Sequence, residues 1–196
     1  MLALAACGAE GTTQEELTKV LGLPPTRGEL AHQMMVMRTS VGSRRRGSVL
    51  NVANGIWLDR RFELDEEFTP LASNLAQATI EKVDFRDAKP TAKRMNNWIA
   101  EQTKGQIAPV FSEGNVAEWA PCVLLNAVYF KGEWQYPFSS HNTEPKPFHL
   151  AGGETVDVLT MHGYVEGQIA RDDEQGATIA ELYYANKSKS MLLVVP

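Results

Sequence analysis

The sequence predicts a fold that mixes helices with a large sheet, and three observations carry that prediction. Val123–Phe130 is apolar at nearly every position and rich in β-branched and aromatic residues, so it reads as a strand rather than a buried helix. Leu50, Val52, Ile56 and Leu58 alternate along a second strand, Val49–Asp59. Around these runs lie segments with apolar residues at helical spacing, and the sequence after Phe138 is rich in strand patterns.

Taken in order, Met1–Cys7 is apolar but lacks the basic start and the long apolar core of a secretion signal. Thr12 and Glu15 have the spacing of a capping box, and Leu17, Val20 and Leu21 give the helix that follows one apolar face. Gly22 ends that helix and Pro24-Pro25 prevents its continuation. Glu29–Val36 reads as a second helix, with Leu30, Met34 and Met37 along one side as flexible core filler. Asp65 can cap a helix whose face is Phe68, Leu71, Ala72 and Leu75, and Ala78–Phe85 is extended. Pro90 suits the first turn of a helix carrying Ala92, Met95, Trp98 and Ile99, stopped by Gly105.

Val123–Phe130, apolar on both sides, is expected to be covered on both faces and so to lie in the middle of a sheet. Its one polar residue, Asn126, must then find partners, because an unpaired buried amide costs about 1–3 kcal/mol. Lys131-Gly132 breaks the run and Glu133-Trp134 restarts it. Glu181–Tyr184 and Met191–Val195 flank Asn186–Lys189 and read as a hairpin. There is no repeat, low-complexity tract or linker, so residues 1–196 read as one domain or part of one.

Composition fits a globular domain able to bury a core: 196 residues, 43% hydrophobic and 22% charged. A net charge of -5 gives no broad electrostatic footprint for nucleic acid, and no apolar run is long enough to span a membrane as a helix. Cys7 and Cys122 sit in apolar settings and read as small buried hydrophobes rather than a bridge or a nucleophile. Catalytic chemistry is poorly represented. There is no phosphate-binding loop and no G-x-S-x-G elbow, and His32, His141, His149 and His162 lack paired-ligand spacing. The chain reads as a non-enzyme without metal or cofactor. Arg44, Arg45 and Arg46 form a compact basic cluster, a solvated turn before it is a polyanion site. Asn186-Lys187-Ser188 is an N-glycosylation sequon, of a kind that also arises by chance.

The order of residues adds a resemblance. Asn126-Ala127-Val128-Tyr129-Phe130-Lys131-Gly132, Trp134 and Pro137-Phe138 resemble the serpin signature "NAVYFKGxWxxPF". Gly8–Thr13 with Val20-Leu21-Gly22 resembles "GAxGxT…xVLG", and Asn51–Phe68 resembles "xxANxIWxxxxFxLxxxF". Val83-Asp84-Phe85 followed by Asn96–Ile107 resembles "VDF…INxWVxxxTxGxI", and Met191–Pro196 resembles "MLxxLP". Five such segments in order are far more specific than any one of them. The resemblance implies an α+β domain of three sheets with surrounding helices, of which this chain carries roughly the first half, without the family's first helix.

In that family a C-terminal loop is cut by the target protease and inserts as an extra strand between two central strands of the main sheet. The resemblance makes Val123–Phe130 one flank of that insertion, with Asn126 and Trp134 in the sheet-opening region. It places the other flank and the scissile bond beyond Pro196, which leaves Val123–Phe130 with a free edge. A trypsin- or chymotrypsin-like serine protease is the implied partner of the intact protein, and this chain alone is expected to be inactive. The basic cluster gives a heparin-like polyanion as a further partner, and the family prior is extracellular, with an intracellular alternative. Two other readings stand beside the inhibitor: a non-inhibitory carrier, chaperone or storage protein, and an interaction chain whose exposed sheet edge pairs with itself or with a complementary C-terminal segment.

Overall fold

The structure is a computed structural model that describes residues 1–41, 47–107, 109–174, 176–185 and 187–195. The expected sites at Arg44, Arg45, Arg46 and Asn186 lie outside the described residues. Two compact units are present, Met1–Ser43 with Leu50–Phe130, and Arg44–Val49 with Lys131–Pro196.

In the first unit, helix α1 spans Leu2–Gly8, α2 Gly11–Leu21 and α3 Arg27–Val41. Gly22 caps α2 at φ 61, the left-handed conformation that glycine adopts without steric penalty. The expected capping box is not formed. The helix begins at Gly11, so Thr12 already lies inside its first turn, and Glu10 occupies the cap position without a side-chain bond. Helix α3 runs further in both directions than Glu29–Val36. Thr26 starts it, accepting the Glu29 amide at 3.3 Å while its hydroxyl donates to the Glu29 carboxylate at 2.8 Å. Leu4, Ala6, Cys7 and Leu30 are buried where these helices meet, with Met34 packed against them.

Strand β1, Ser48–Asp59, runs parallel to β2, Thr79–Val83, in the register Gly55 opposite Thr79 to Asp59 opposite Val83. Between them Asp65 accepts the amides of Glu67 and Phe68, as a capping residue does. The turn α4, Phe68–Pro70, then continues as a π-helical segment over Leu71–Leu75. Helix α5, Ala88–Gln102, buries Ala92, Met95, Trp98 and Ile99, the face predicted from spacing. That face packs with Trp57, Val83, Phe85 and Ala127 in the largest apolar cluster. Gly55 lies close to the two indoles: a Cβ at that position would stand 3.1 Å from Trp57 Nε1 and 3.2 Å from Trp98, so either ring would have to shift slightly to admit one.

Strand β3, Cys122–Gly132, completes a sheet of order β2-β1-β3. This corrects the bare-sequence reading of a centrally placed strand covered on both faces. Ala127 is its one buried residue, and exposure alternates, with Leu124, Asn126, Val128 and Phe130 all solvent-exposed on one face. The apolar pattern is the same, but the described chain supplies cover to only one side and a neighbour to only one edge.

In the second unit, β4 (Thr143–His149) and β5 (Thr155–Met161) form an antiparallel pair. Strands β6 (Gly167–Asp172), β7 (Ala177–Tyr183) and β8 (Ser190–Val195) form an antiparallel sheet in that order. The predicted hairpin is thus β7-β8, with Tyr183 opposite Ser190.

Candidate functional site

The residues singled out by the resemblance fall in different units. Asn126 lies on the exposed side of β3. Its amide nitrogen donates to Ala53 O at 3.1 Å and to Asn54 Oδ1 at 3.0 Å, although its exposure removes the burial on which the expectation of partners rested. Asn54 Nδ2 donates onward to Ala76 O at 3.2 Å. This chain of amides ties the outer strand β3 to β1, and β1 to the end of the π-helical segment. A strand edge that must hold its register without a second neighbour gains by such side-chain ties, because an edge presents unpaired backbone groups.

Trp134, in the second unit, stacks on Tyr184 with ring centroids 4.7 Å apart and planes 8° apart, and meets Phe138 edge-on at 6.5 Å. The backbone reinforces the stack: Trp134 and Tyr184 form an antiparallel bridge, Gln135 N donates to Tyr183 O at 3.0 Å, and Ala185 N donates to Glu133 O at 2.8 Å. Beside it, Glu166 accepts from Gln135 Nε2, Tyr136 OH and Lys187 Nζ at 3.0, 3.2 and 3.0 Å. Lys187 and Tyr136 hold the Glu166 carboxyl below its usual range, and Glu166 in turn raises the Lys187 ammonium. Sequence reading missed this hub, since Glu166 and Gln135 belong to no motif and the sequon around Lys187 says nothing of an ion pair.

A second cluster was also missed. Asp59, at the end of β1, is fully buried, and one of its oxygens accepts Arg61 Nε at 2.6 Å and the Arg61 amide at 2.9 Å. The other accepts the Phe85 amide at 3.1 Å. These bonds, the Arg61 side chain first, hold its carboxyl well below the usual range against the opposing effect of burial. Arg61 also donates to Glu118 O at 3.1 Å, and Asp59 N donates to Pro121 O at 2.9 Å. The Asp59 carboxylate thus ties the end of β1 to the segment that leaves β2, while its backbone amide and the Arg61 side chain hold the segment that enters β3. An acid closing an apolar strand two residues before an arginine was the available signal.

Elsewhere the chemistry is sparse. Cys7 is buried, 3.9 Å from Met34 Sδ, and burial pushes its thiol up. Cys122 is exposed at the start of β3, which corrects the expectation that both cysteines are buried: among the described residues none covers it on that face. The four histidines are exposed. Among the described residues no cluster of three or more His, Cys, Asp or Glu is placed to hold a metal ion. No described helix is long and apolar enough to cross a membrane.

Comparison with known proteins bears on the whole chain. A family model described as Serpin (serine protease inhibitor) matches residues 1–196. A serine protease inhibitor of Cyanea capillata is 29% identical over 197 residues, covering 100% of this chain and 52% of that protein. The leukocyte elastase inhibitor of Xenopus tropicalis is 30% identical over 197 residues, with the same shares covered. Among solved structures, the Manduca sexta serine protease inhibitor (serpin)-12 superposes with a TM-score of 0.85 at 28% identity, covering 100% of this chain and 54% of that one. The chain thus spans about half the length of the relatives it matches. The fold is a partial α+β serpin fold, and the family to which it points comprises protease inhibitors, not catalytic enzymes. From its first described strand to its last, the chain belongs to the serpin family.

Proposed function

We propose that these 196 residues are the N-terminal part of a single serpin domain whose intact form is a serine-type endopeptidase inhibitor, and that they do not inhibit by themselves. The observation that carries this reading is the position of β3. Among the described residues, the strand with the family's most specific run lies at the edge of its sheet, on the side where loop insertion would add a strand. Asn126 and Trp134 take the roles of residues in the sheet-opening region, the first tying the edge strand to β1 and the second anchoring the segment that follows it. The target of the intact protein is a trypsin- or chymotrypsin-like protease acting outside the cell, and Arg44–Arg46 are the residues to which a heparin-like polyanion would bind.

The test is a covalent one. The 196-residue chain is mixed with trypsin and with chymotrypsin and run on a denaturing gel, beside a chain extended downstream to the length of its relatives. The expected result is an SDS-resistant complex with the extended chain and none with the shorter one. A complex with the shorter chain overturns its predicted inactivity. An extended chain that is only cleaved supports the non-inhibitory reading.

A further inference from the structure

The chain passes from α5 to β3 through residues 109–121, which carry one short turn, Glu113–Asn115, and no strand. Side chains hold this segment in place. At its start Asn96, on α5, accepts the amides of Val110 and Phe111 at 2.9 Å each and donates to Phe111 O at 2.7 Å. Asn115 accepts the Ser112 amide at 2.7 Å and donates to Val110 O at 3.1 Å, which closes the turn. Val116 and Ala120 are the segment's buried residues, both in the apolar cluster of α5. They are the smaller apolar types, so burial holds the segment less firmly than it holds α5, which buries Met95, Trp98 and Ile99.

The far end is held from the end of β1. Arg61 Nη2 donates to Glu118 O at 3.1 Å, and Asp59 N donates to Pro121 O at 2.9 Å. Arg61 makes a second bond, from Nε to Asp59 Oδ1 at 2.6 Å, and its own amide donates to the same oxygen at 2.9 Å. Asp59 is fully buried, so the guanidinium is oriented from its inner side while its outer arm reaches the segment. A guanidinium can do this because its donors are fixed in one plane and point in different directions. A lysine ammonium is a single point charge. It can face Asp59, but one nitrogen cannot fill both positions.

We infer that residues 110–121 form a strap that opens as a local unit, and that Arg61, oriented by Asp59, is the clasp that sets how often it opens. Segments with few buried apolar contacts open at a lower free energy than the unit to which they belong. Opening uncovers Val116 and Ala120 and gives a protease the extended backbone that cleavage requires, with Glu113 and Glu118 as cleavage points inside the packed unit. Closing restores the bond from Arg61 to Glu118 O and withdraws them. Every contact named lies within the first unit, between described residues. The inference is therefore independent of the inhibitor reading and of any further part of the domain.

The experiment compares the 196-residue chain with its Arg61→Lys variant, by hydrogen exchange and by limited digestion with a glutamate-specific protease. In the unaltered chain the strap should exchange faster than Ala88–Gln102. Arg61→Lys keeps a cation beside Asp59 and removes the bond to Glu118 O. Amides of residues 110–121 should then exchange about tenfold faster, as the loss of one charge-assisted hydrogen bond implies, and cleavage after Glu118 should quicken by a similar factor. Exchange of Ala88–Gln102 should not change. Arg86→Lys, at an arginine that pairs with Asp84, should alter neither readout. Asp59→Asn combined with Arg61→Met removes both charges, so that neither is left buried alone, and should release the strap as Arg61→Lys does. Unchanged exchange at residues 110–121 in either variant, faster exchange there only in step with α5, or release by Arg86→Lys overturns the inference.

Discussion

The first unit buries Phe85, Met95, Leu4 and Ile56 almost completely, and its helices and sheet share continuous apolar clusters. The second unit has ladders just as regular, seven residue pairs between β4 and β5 and six in each pair of β6-β7-β8, yet its buried described apolar residues are only Ala177 and Tyr184. The contrast separates two contributions that usually arrive together. Backbone pairing sets topology, but a typical hydrogen bond adds only about 0.5–1.5 kcal/mol net, because water is lost as a partner. A fully buried large apolar side chain adds about 1.5–3 kcal/mol. The β6-β7-β8 sheet, with β7 half-buried and β6 and β8 exposed, has the first contribution with little of the second.

The largest expected effect is therefore in the first unit. Phe85→Ala removes a fully buried ring and should destabilise that unit by about 3–5 kcal/mol, a large part of an ordinary domain's stability. Urea unfolding followed by tryptophan fluorescence measures it. Equal loss of signal from both units would show that they unfold as one and would break the contrast.

A change of pH gives the next effect. The folded-state pKa of Asp59 is depressed, so its contribution is fully present above the unfolded carboxylate value, about 3.9, and is lost as pH falls through the lower folded value. Stability of the first unit should decline below about pH 4 in the native chain. Asp59→Asn should lower the melting temperature at neutral pH by several degrees and flatten that decline, since a group that no longer titrates cannot contribute a slope. Melting curves across the acid range measure both. An unchanged slope would contradict the role given to this carboxylate.

The smallest effect belongs to the second unit. Trp134→Ala removes the stack on Tyr184, a contact that contributes roughly 0.5–1.5 kcal/mol beyond the area it covers. Near-ultraviolet circular dichroism should lose intensity while the far-ultraviolet signal of the strands stays. A change in the first unit's melting would sharpen the comparison in the opposite direction, by showing that the stack supports more than its own sheet.

The contrast also explains what could be read from the sequence. Elements with a periodic apolar face were legible: α5 through Ala92, Met95, Trp98 and Ile99, and the β7-β8 hairpin through its two apolar runs. The serpin resemblance was legible because its residues lie in contiguous runs. The sheet position of β3 was not legible from its pattern, since an apolar strand looks alike whether its neighbours are present or absent. Cys122 was misplaced for the same reason. The Thr12 box failed because Gly11 starts the helix early, a backbone choice that spacing alone does not reveal. The Asp59 and Glu166 clusters depend on residues 26 and 31 positions away, and such contacts leave no local periodicity.

The packed first unit holds most of the buried apolar surface, and among the described residues the strands of the second bury little of their own. Hydrogen exchange read by mass spectrometry tests it most directly. Amides of β1 and α5 should exchange only through opening of the whole first unit, whereas those of β6, β7 and β8 should exchange orders of magnitude faster through local opening. Equal protection of Ala88–Gln102 and Ala177–Tyr183 would contradict the account.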